Sequence, residues 1–248
     1  MKFEPDIHKA VWGEERWLVS AHVRGPGRLV GGDGKTLRDV FPDFPVLIKR
    51  IDADKRLSVQ VPPSDATAPV VGGEPKTEMW CVLSPGPIFA GFKPGVTASD
   101  VERAVADGSF EELLVRFDAK KGECYFIPGG LVHAIGEGTS VYEVQQSSDT
   151  TFRLYDWGRT GLDGRPRKLH VREALAAMDL TLPPPTPSDH VSCAYFDFLT
   201  VASGATVAAA GGWCAVYTPS TGESRLLDDG EEYTAPSETF VTRIPKAV

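Results

Sequence analysis

The 248-residue sequence lacks most of the features that place a protein at a glance. No apolar run approaches the roughly 20 residues that a membrane-crossing helix needs. The opening Met1-Lys2-Phe3-Glu4-Pro5-Asp6 has no apolar signal-peptide core, so the expected compartment is the cytoplasm. Positive charge is in deficit, with 26 Lys and Arg against 34 Asp and Glu and a net charge of −8. Nucleic-acid binders usually show a basic excess, and membrane-surface proteins a polybasic cluster, so neither partner is expected. Cysteine is sparse and unpaired in sequence. Cys81, Cys124, Cys193 and Cys214 form no C-x-x-C, which excludes a zinc ribbon or a thioredoxin-like pair and leaves ordinary buried thiols. There is no G-x-S-x-G, no P-loop and no G-x-G-x-x-G opening a helix. Gly31-Gly32-Asp33-Gly34-Lys35 lacks the Ser or Thr that a phosphate loop needs and reads as a β-turn.

What the chain does have is turns and short strands. Gly (25) and Pro (20) are in excess and spread along the sequence, which punctuates it into short segments. With 42% apolar residues it has enough to fill one or two cores. Residues 16–23, 46–51, 57–61, 78–83, 87–92, 123–127, 140–146 and 151–155 read as strands bounded by turn residues. The period changes at Thr97-Ala98-Ser99-Asp100, a capping-box pattern followed by Val101, Ala104 and Val105 at helical spacing and closed by Asp107-Gly108. Ser109-Phe110-Glu111-Glu112 repeats the pattern, so a two-helix insertion is expected over about 97–116. A further short helix is expected over 171–178. Pro183-Pro184-Pro185-Thr186-Pro187 cannot continue a helix and reads as an extended connector over 181–187. Beyond it, residues 188–248 form a smaller all-β set with strands near 194–201, 206–209, 214–218, 224–227 and 239–244.

One stretch carries a specific pattern. Gly122 to His133 fits G-x-x-x-x-x-P-x-G-x-x-H at every fixed position, with Pro128 and Gly130 shaping a turn between two strands. It resembles the second motif of the cupin superfamily. Around it, in order, stand Val11-Trp12-Gly13, Trp17 with Ser20-Ala21-His22, Gln60-x-Pro62-Pro63-x-Asp65, and Lys76-Thr77-Glu78-Met79-Trp80. After it come Tyr142-Glu143, Ser148-Asp149 with Arg153, and Leu169-His170 through Ala174. Together they are similar to the type I mannose-6-phosphate isomerases of the short bacterial form, well over residues 10–180 and loosely beyond. The resemblance implies a mostly-β protein of two cupin-like β-barrels or jelly rolls, the catalytic one over 1–180, with a helical insertion in the first. It implies interconversion of mannose 6-phosphate and fructose 6-phosphate through a cis-enediol, with a zinc ion held by Gln, His, Glu and His.

Carried over residue by residue, the metal ligands are Gln60, Glu78 and His133. The fourth is missing. Where the family has V-H-P-x-D, this chain has Val61-Pro62-Pro63-Ser64-Asp65, and proline offers no side-chain donor. A protein zinc site is worth on the order of 10–16 kcal/mol. Loss of one of four equal ligands removes roughly 3 kcal/mol, or about 100-fold in affinity. Three ligands remain the usual number at catalytic zinc. A set of one amide, one carboxylate and one imidazole also suits Mn²⁺ or Mg²⁺, or stays empty. His22 is a candidate replacement ligand. By the same resemblance Arg153 stabilises the enediolate, Lys76 binds substrate oxygens or assists proton transfer, Glu143 is a base or a supporting group, and Asp149 orients hydroxyls. Arg24, Lys49 and Arg159 are candidates for the phosphate. The alternative is a degenerate cupin that binds a sugar or sugar phosphate without turning it over.

Overall fold

The computed structural model describes residues 1–246. In the first 180 residues two antiparallel sheets face each other. The larger has six strands, in the order Cys124–Ile127, Glu78–Ser84, Ser140–Gln146, Val46–Ala53, Gly13–Val19 and Asp6–Ala10. The smaller has five, in the order Phe152–Tyr155, Val59–Val61, His133–Ile135, Gly86–Phe92 and Leu114–Ala119. No ladder joins the two sheets among the described residues, so the cupin-like unit is an open jelly-roll sandwich.

Alternation along each strand explains how the layers form, because successive side chains point to opposite faces. In Glu78–Ser84, Trp80 and Val82 point into the sandwich and pack with Ile51, Val141, Ile88 and Ile135. Met79 and Cys81 point outward with Ile48, Tyr142 and Val144. That outer face is not exposed. The C-terminal sheet lies on it, with strands ordered Val191–Ser192, Asp197–Val201, Thr239–Pro245, Gly212–Thr218 and Glu223–Leu227. Phe198, Tyr217 and Phe240 meet Tyr142 in one cluster, and the Tyr142 ring stacks on Tyr217 at 5.3 Å between centroids. The central strands therefore read as unbroken apolar runs, because both of their faces are buried.

The outer face of the smaller sheet is covered by helices. Val59, Val61, Ala134 and Leu154 pack with Val101 and Ala104 of the helix Ala98–Asp107, and with Ala174 and Ala177 of the helix Val171–Ala177. The first helix has the expected ends. Asp100 N–H donates to Thr97 Oγ1, Thr97 N–H donates to Asp100 Oδ2, and Gly108 takes the left-handed cap at φ 83°. The second half of the insertion differs from expectation. Ser109 Oγ donates to Asp107 Oδ1 at 2.6 Å instead of capping. Only a 3₁₀ turn, Phe110–Leu113, follows before Leu114 opens a strand. The alternation of Leu114, Arg116 and Asp118 with Val115, Phe117 and Ala119 is strand-like and outweighs the cap signal.

The proline-rich connector runs over the surface without helix or strand. It still has two anchors. Pro184 lies against Gly91, where an added Cβ would come within 2.9 Å of the proline Cα. Ser188 exchanges backbone hydrogen bonds of 2.8 and 3.0 Å with Cys124, the edge of the six-stranded sheet.

Tyr142 fills the seam between the two units, and its hydroxyl lies 3.2 Å from Thr242 Oγ1. Tyr142→Ala should cost about 3–5 kcal/mol, as for other buried aromatic truncations. Tyr142→Phe should cost about 1 kcal/mol. Urea denaturation of the two variants beside the wild type checks both values.

Candidate active site

The inward faces of the two sheets are not wholly apolar. Near one end of the sandwich they carry charged and amide side chains around a cavity of about 120 Å³. Each side chain arrives by strand alternation. On the smaller sheet, Arg153 and His133 both lie opposite Gln60, giving a row of Arg153, Gln60 and His133. On the larger sheet, Glu143 lies opposite Trp80 on one side and Lys49 on the other, and Lys49 lies opposite Trp17. Glu78 begins its strand one inward position from Trp80.

Three of the residues expected to hold a metal converge. His133 Nε2 is 2.9 Å from the Gln60 amide nitrogen and 3.1 Å from Glu78 Oε1. The imidazole's orientation is set from behind, where Nδ1 lies 3.0 Å from the Leu131 carbonyl. A carbonyl only accepts, so Nδ1 carries the proton, and in the neutral ring Nε2 presents its lone pair. That lone pair accepts from the Gln60 amide N–H, and the same nitrogen lies beside Glu78 Oε1, a buried carboxylate oxygen with no hydrogen-bond donor. Two acceptors 3.1 Å apart in a buried site call for a cation or a proton between them. A half-turn of the Gln60 amide would present its oxygen to the same point. Lys76 contributes a cation from the other side, its ammonium contacting Glu78 Oε2. Burial alone would push the Glu78 carboxyl up, but Lys76 and His133 more than reverse this and hold it below the ordinary range. The Trp80 ring meets the imidazole edge-on at 5.1 Å.

Pro62 stands at the end of the Val59–Val61 strand, buried and without a donor atom. Its carbonyl accepts from the N–H of Gly130 at 2.7 Å, and Gly130 sits at φ 95°, which favours glycine. The His133 motif turn is thus tied to the position where the family has a histidine. Among the described residues no cluster of three or more His, Cys, Asp or Glu forms a metal site, so Gln60 is needed as the third donor. His22 is not a replacement. It does not line the cavity, and its Nε2 lies 3.5 Å from Glu74 Oε2.

A second charged group lies beside it. Lys49 Nζ is 3.2 Å from Glu15 Oε2 and 3.4 Å from Glu143 Oε1; Lys49 and Glu143 are buried, and Glu15 is partly exposed. Trp17 and Trp80 donate their indole N–H groups to Glu15 and Glu143, both at 2.8 Å. Burial pushes the Glu15 carboxyl up, and the Lys49 ammonium more than reverses it, so Glu15 stays below the ordinary carboxylate range. Burial disfavours the Lys49 ammonium, and its two carboxylate neighbours outweigh that and raise it. Glu143 behaves differently. Burial raises it, the Glu78 charge raises it further, and Lys76 and Lys49 only partly compensate.

Among the remaining expected residues, Arg153 and Asp149 line the cavity, and Arg24 lies 2.5 Å from Asp149. Of the three phosphate candidates only Lys49 lines the cavity, and it is held between two glutamates. Arg159 is outside the cavity lining, held by Asp156 and by the Arg56 carbonyl. Sequence reading missed Glu15 and Arg167, which both line the cavity. For Glu15 a signal existed: it shares strand parity with the inward Trp17. Arg167 lies in an irregular segment, where no periodicity reports direction.

Comparison with known proteins fits this geometry. No protein-family model matches the chain. Mannose-6-phosphate isomerase ManA of Bacillus subtilis is 31% identical over 241 residues, covering 78% of this chain and 76% of that protein. The chain belongs to the mannose-6-phosphate isomerase family. A crystal structure of mannose 6-phosphate isomerase from Bacillus subtilis superposes with a TM-score of 0.79 at 23% identity, covering 98% of this chain and 99% of that one. A mannose 6-phosphate isomerase solved with zinc and yttrium gives 0.67 at 14%, covering 99% of each chain. The fold of the mannose-6-phosphate isomerases thus accommodates the C-terminal sheet as well as the sandwich.

Lys49→Met should destabilise the protein by about 3–5 kcal/mol at pH 7.5, the usual cost of removing one partner from a buried pair. In the wild type, the depressed Glu15 carboxyl stabilises above the unfolded carboxylate pKa, and this contribution is lost on acidification. In the variant, burial acts unopposed by Lys49 and raises Glu15, so protonation relieves the defect as pH falls. The gap in urea midpoint between wild type and variant should therefore narrow between pH 7.5 and pH 5.

Proposed function

We propose that this chain is a mannose-6-phosphate isomerase, interconverting mannose 6-phosphate and fructose 6-phosphate with a divalent metal held by Gln60, Glu78 and His133. The observation that carries the reading is the pair of facing acceptors, His133 Nε2 and Glu78 Oε1, with the Gln60 amide beside them. A bound metal would act as a Lewis acid on the substrate's oxygens. The donor set is of mixed hardness and suits zinc or manganese.

The chain's own groups supply the rest. The reaction moves a proton between the C1 and C2 carbons of an aldose and a ketose. One positioned base can take the C2 proton and return it to C1, while the hydroxyl proton on O2 passes to O1, so that the enediol between them balances. Glu143 is assigned that role: it lines the cavity, and burial together with the Glu78 charge raises its carboxyl above the ordinary value, which makes it a stronger base. Trp80 N–H donates to its Oε2, and its Oε1, with no hydrogen-bond donor, lies 3.4 Å from Lys49. Arg153, opposite Gln60, offers a guanidinium to the oxyanion that develops as the proton leaves. Lys76 neutralises Glu78 and stands ready to bind a substrate oxygen. Asp149, at the mouth beside Arg24, orients hydroxyls. The enclosing tryptophans Trp12 and Trp80 limit water, which would otherwise compete for the proton.

A binding protein without turnover is the less favoured reading, because the relatives are named as mannose-6-phosphate isomerases.

A coupled isomerase assay with mannose 6-phosphate, after loading with Zn²⁺ or Mn²⁺, should show turnover, and absence of turnover under every loading would defeat the proposal. Glu143→Gln should lower kcat by about 10²–10⁴-fold, the usual contribution of a general base. Pro62→His should tighten zinc binding at least about tenfold in chelator competition, since it adds a donor worth roughly 3 kcal/mol to a three-donor site. Unchanged affinity would show that position 62 does not face the metal.

A further inference from the structure

The wall of the cavity at Arg153 carries more positive charge than its protein neighbours neutralise. Three guanidiniums, those of Arg153, Arg159 and Arg167, gather near a single carboxylate, Asp156. Arg159 and Arg167 both bind it, with contacts of 2.7 and 2.6 Å to the same Oδ1. Arg153 has no carboxylate. One of its nitrogens donates to the Lys168 carbonyl at 2.9 Å, and its Nε is buried with no partner. Burial and then the Arg167 charge weaken the hold of Arg153 on its proton, as expected of cations crowded together. The neighbouring His170 is held down by its own burial and by Arg153, so it does not offset the excess. Like charges packed against a half-buried cavity are unfavourable unless an anion completes them. Arg153 and Arg167 both line that cavity, while Arg159 does not.

We propose that Arg167 receives the phosphate of the substrate, with the Arg153 charge beside it adding to the positive potential of that wall, and that Asp156 competes with the phosphate for Arg167. The proposal rests on the isomerase reading above and adds to it the place of the anionic group. It also answers the electrostatic difficulty of a chain with net charge −8, since the cations stand on the cavity wall instead of being spread over the surface. Guanidinium is suited to the task, because its fork donates two parallel hydrogen bonds to a phosphate. Arg24 is set apart from this role because it does not line the cavity.

The test compares three variants. Arg167→Gln should raise KM for mannose 6-phosphate on the order of 10- to 100-fold, as for loss of a charge-assisted contact, with kcat within about threefold of wild type. The inhibition constant of inorganic phosphate should rise in parallel. Arg167→Lys should fall between the two. Asp156→Asn removes the competitor and should leave the phosphate inhibition constant unchanged or lower. If Arg167 merely braced Asp156, Asp156→Asn would weaken phosphate binding as much as Arg167→Gln, and that result would overturn the proposal. Should the wild type show no isomerase turnover, calorimetric titration with inorganic phosphate separates the two ideas. Binding by wild type but not by Arg167→Gln sustains the anion site alone. Equal binding by both, or by neither, overturns it.

Discussion

An ionised side chain inside a β-sandwich is tolerable only if each charge faces an opposite charge or a donor of matching kind. That constraint organises the interior of this protein. Lys49 sits between Glu15 and Glu143, Lys76 sits on Glu78, and two tryptophan N–H groups donate to Glu15 and Glu143. Where the balance is incomplete, something is meant to enter. The facing acceptors of His133 and Glu78 want a cation, and the crowded guanidiniums of Arg153 and Arg167 want an anion. One cavity thus has opposite electrostatic deficits on its walls, which is what a sugar phosphate and a metal ion would satisfy together.

The rest of the fold keeps this arrangement rigid. The six-stranded sheet carries charges beside an apolar core of Trp80, Val82, Ile51 and Val141 on its inner face, and a second apolar core covers its outer face. There Tyr142, Met79 and Ile48 are covered by Phe198, Tyr217 and Phe240 of the C-terminal sheet. The smaller sheet is backed in the same way by the helices Ala98–Asp107 and Val171–Ala177. Neither cover contributes a side chain to the cavity lining. Their contribution is to let a sandwich hold polar groups in its middle without losing its core.

Much of this was legible along the chain. The strand positions followed from short apolar runs bounded by turn residues, and Ser140–Gln146 matched its expected bounds. The helix from Ala98 followed from Thr97 and Gly108, because caps are local chemistry. Gln60, Glu78, His133, Lys76, Glu143, Asp149 and Arg153 were named from motifs, and all but Glu78 line the cavity, with Glu78 in contact with His133 and Lys76. The strand Leu114–Ala119 was missed because a capping signal preceded it, and sheet pairing overrode that signal. Arg159 was misplaced and Arg167 unnamed because the segment after Tyr155 has no period, and its direction is set only by Asp156.

The division follows from range. By itself the sequence determined what depends on near neighbours in the chain: turn positions, strand parity, helix caps, the proline at 62 and the residue types available for chemistry. Only the tertiary structure decided what depends on pairs far apart. It set His133 against both Glu78 and Gln60, put Lys49 between two carboxylates instead of at the mouth, and gave one carboxylate to two of three arginines. Charge balance in a buried site is a sum over such distant pairs, and no local pattern encodes it.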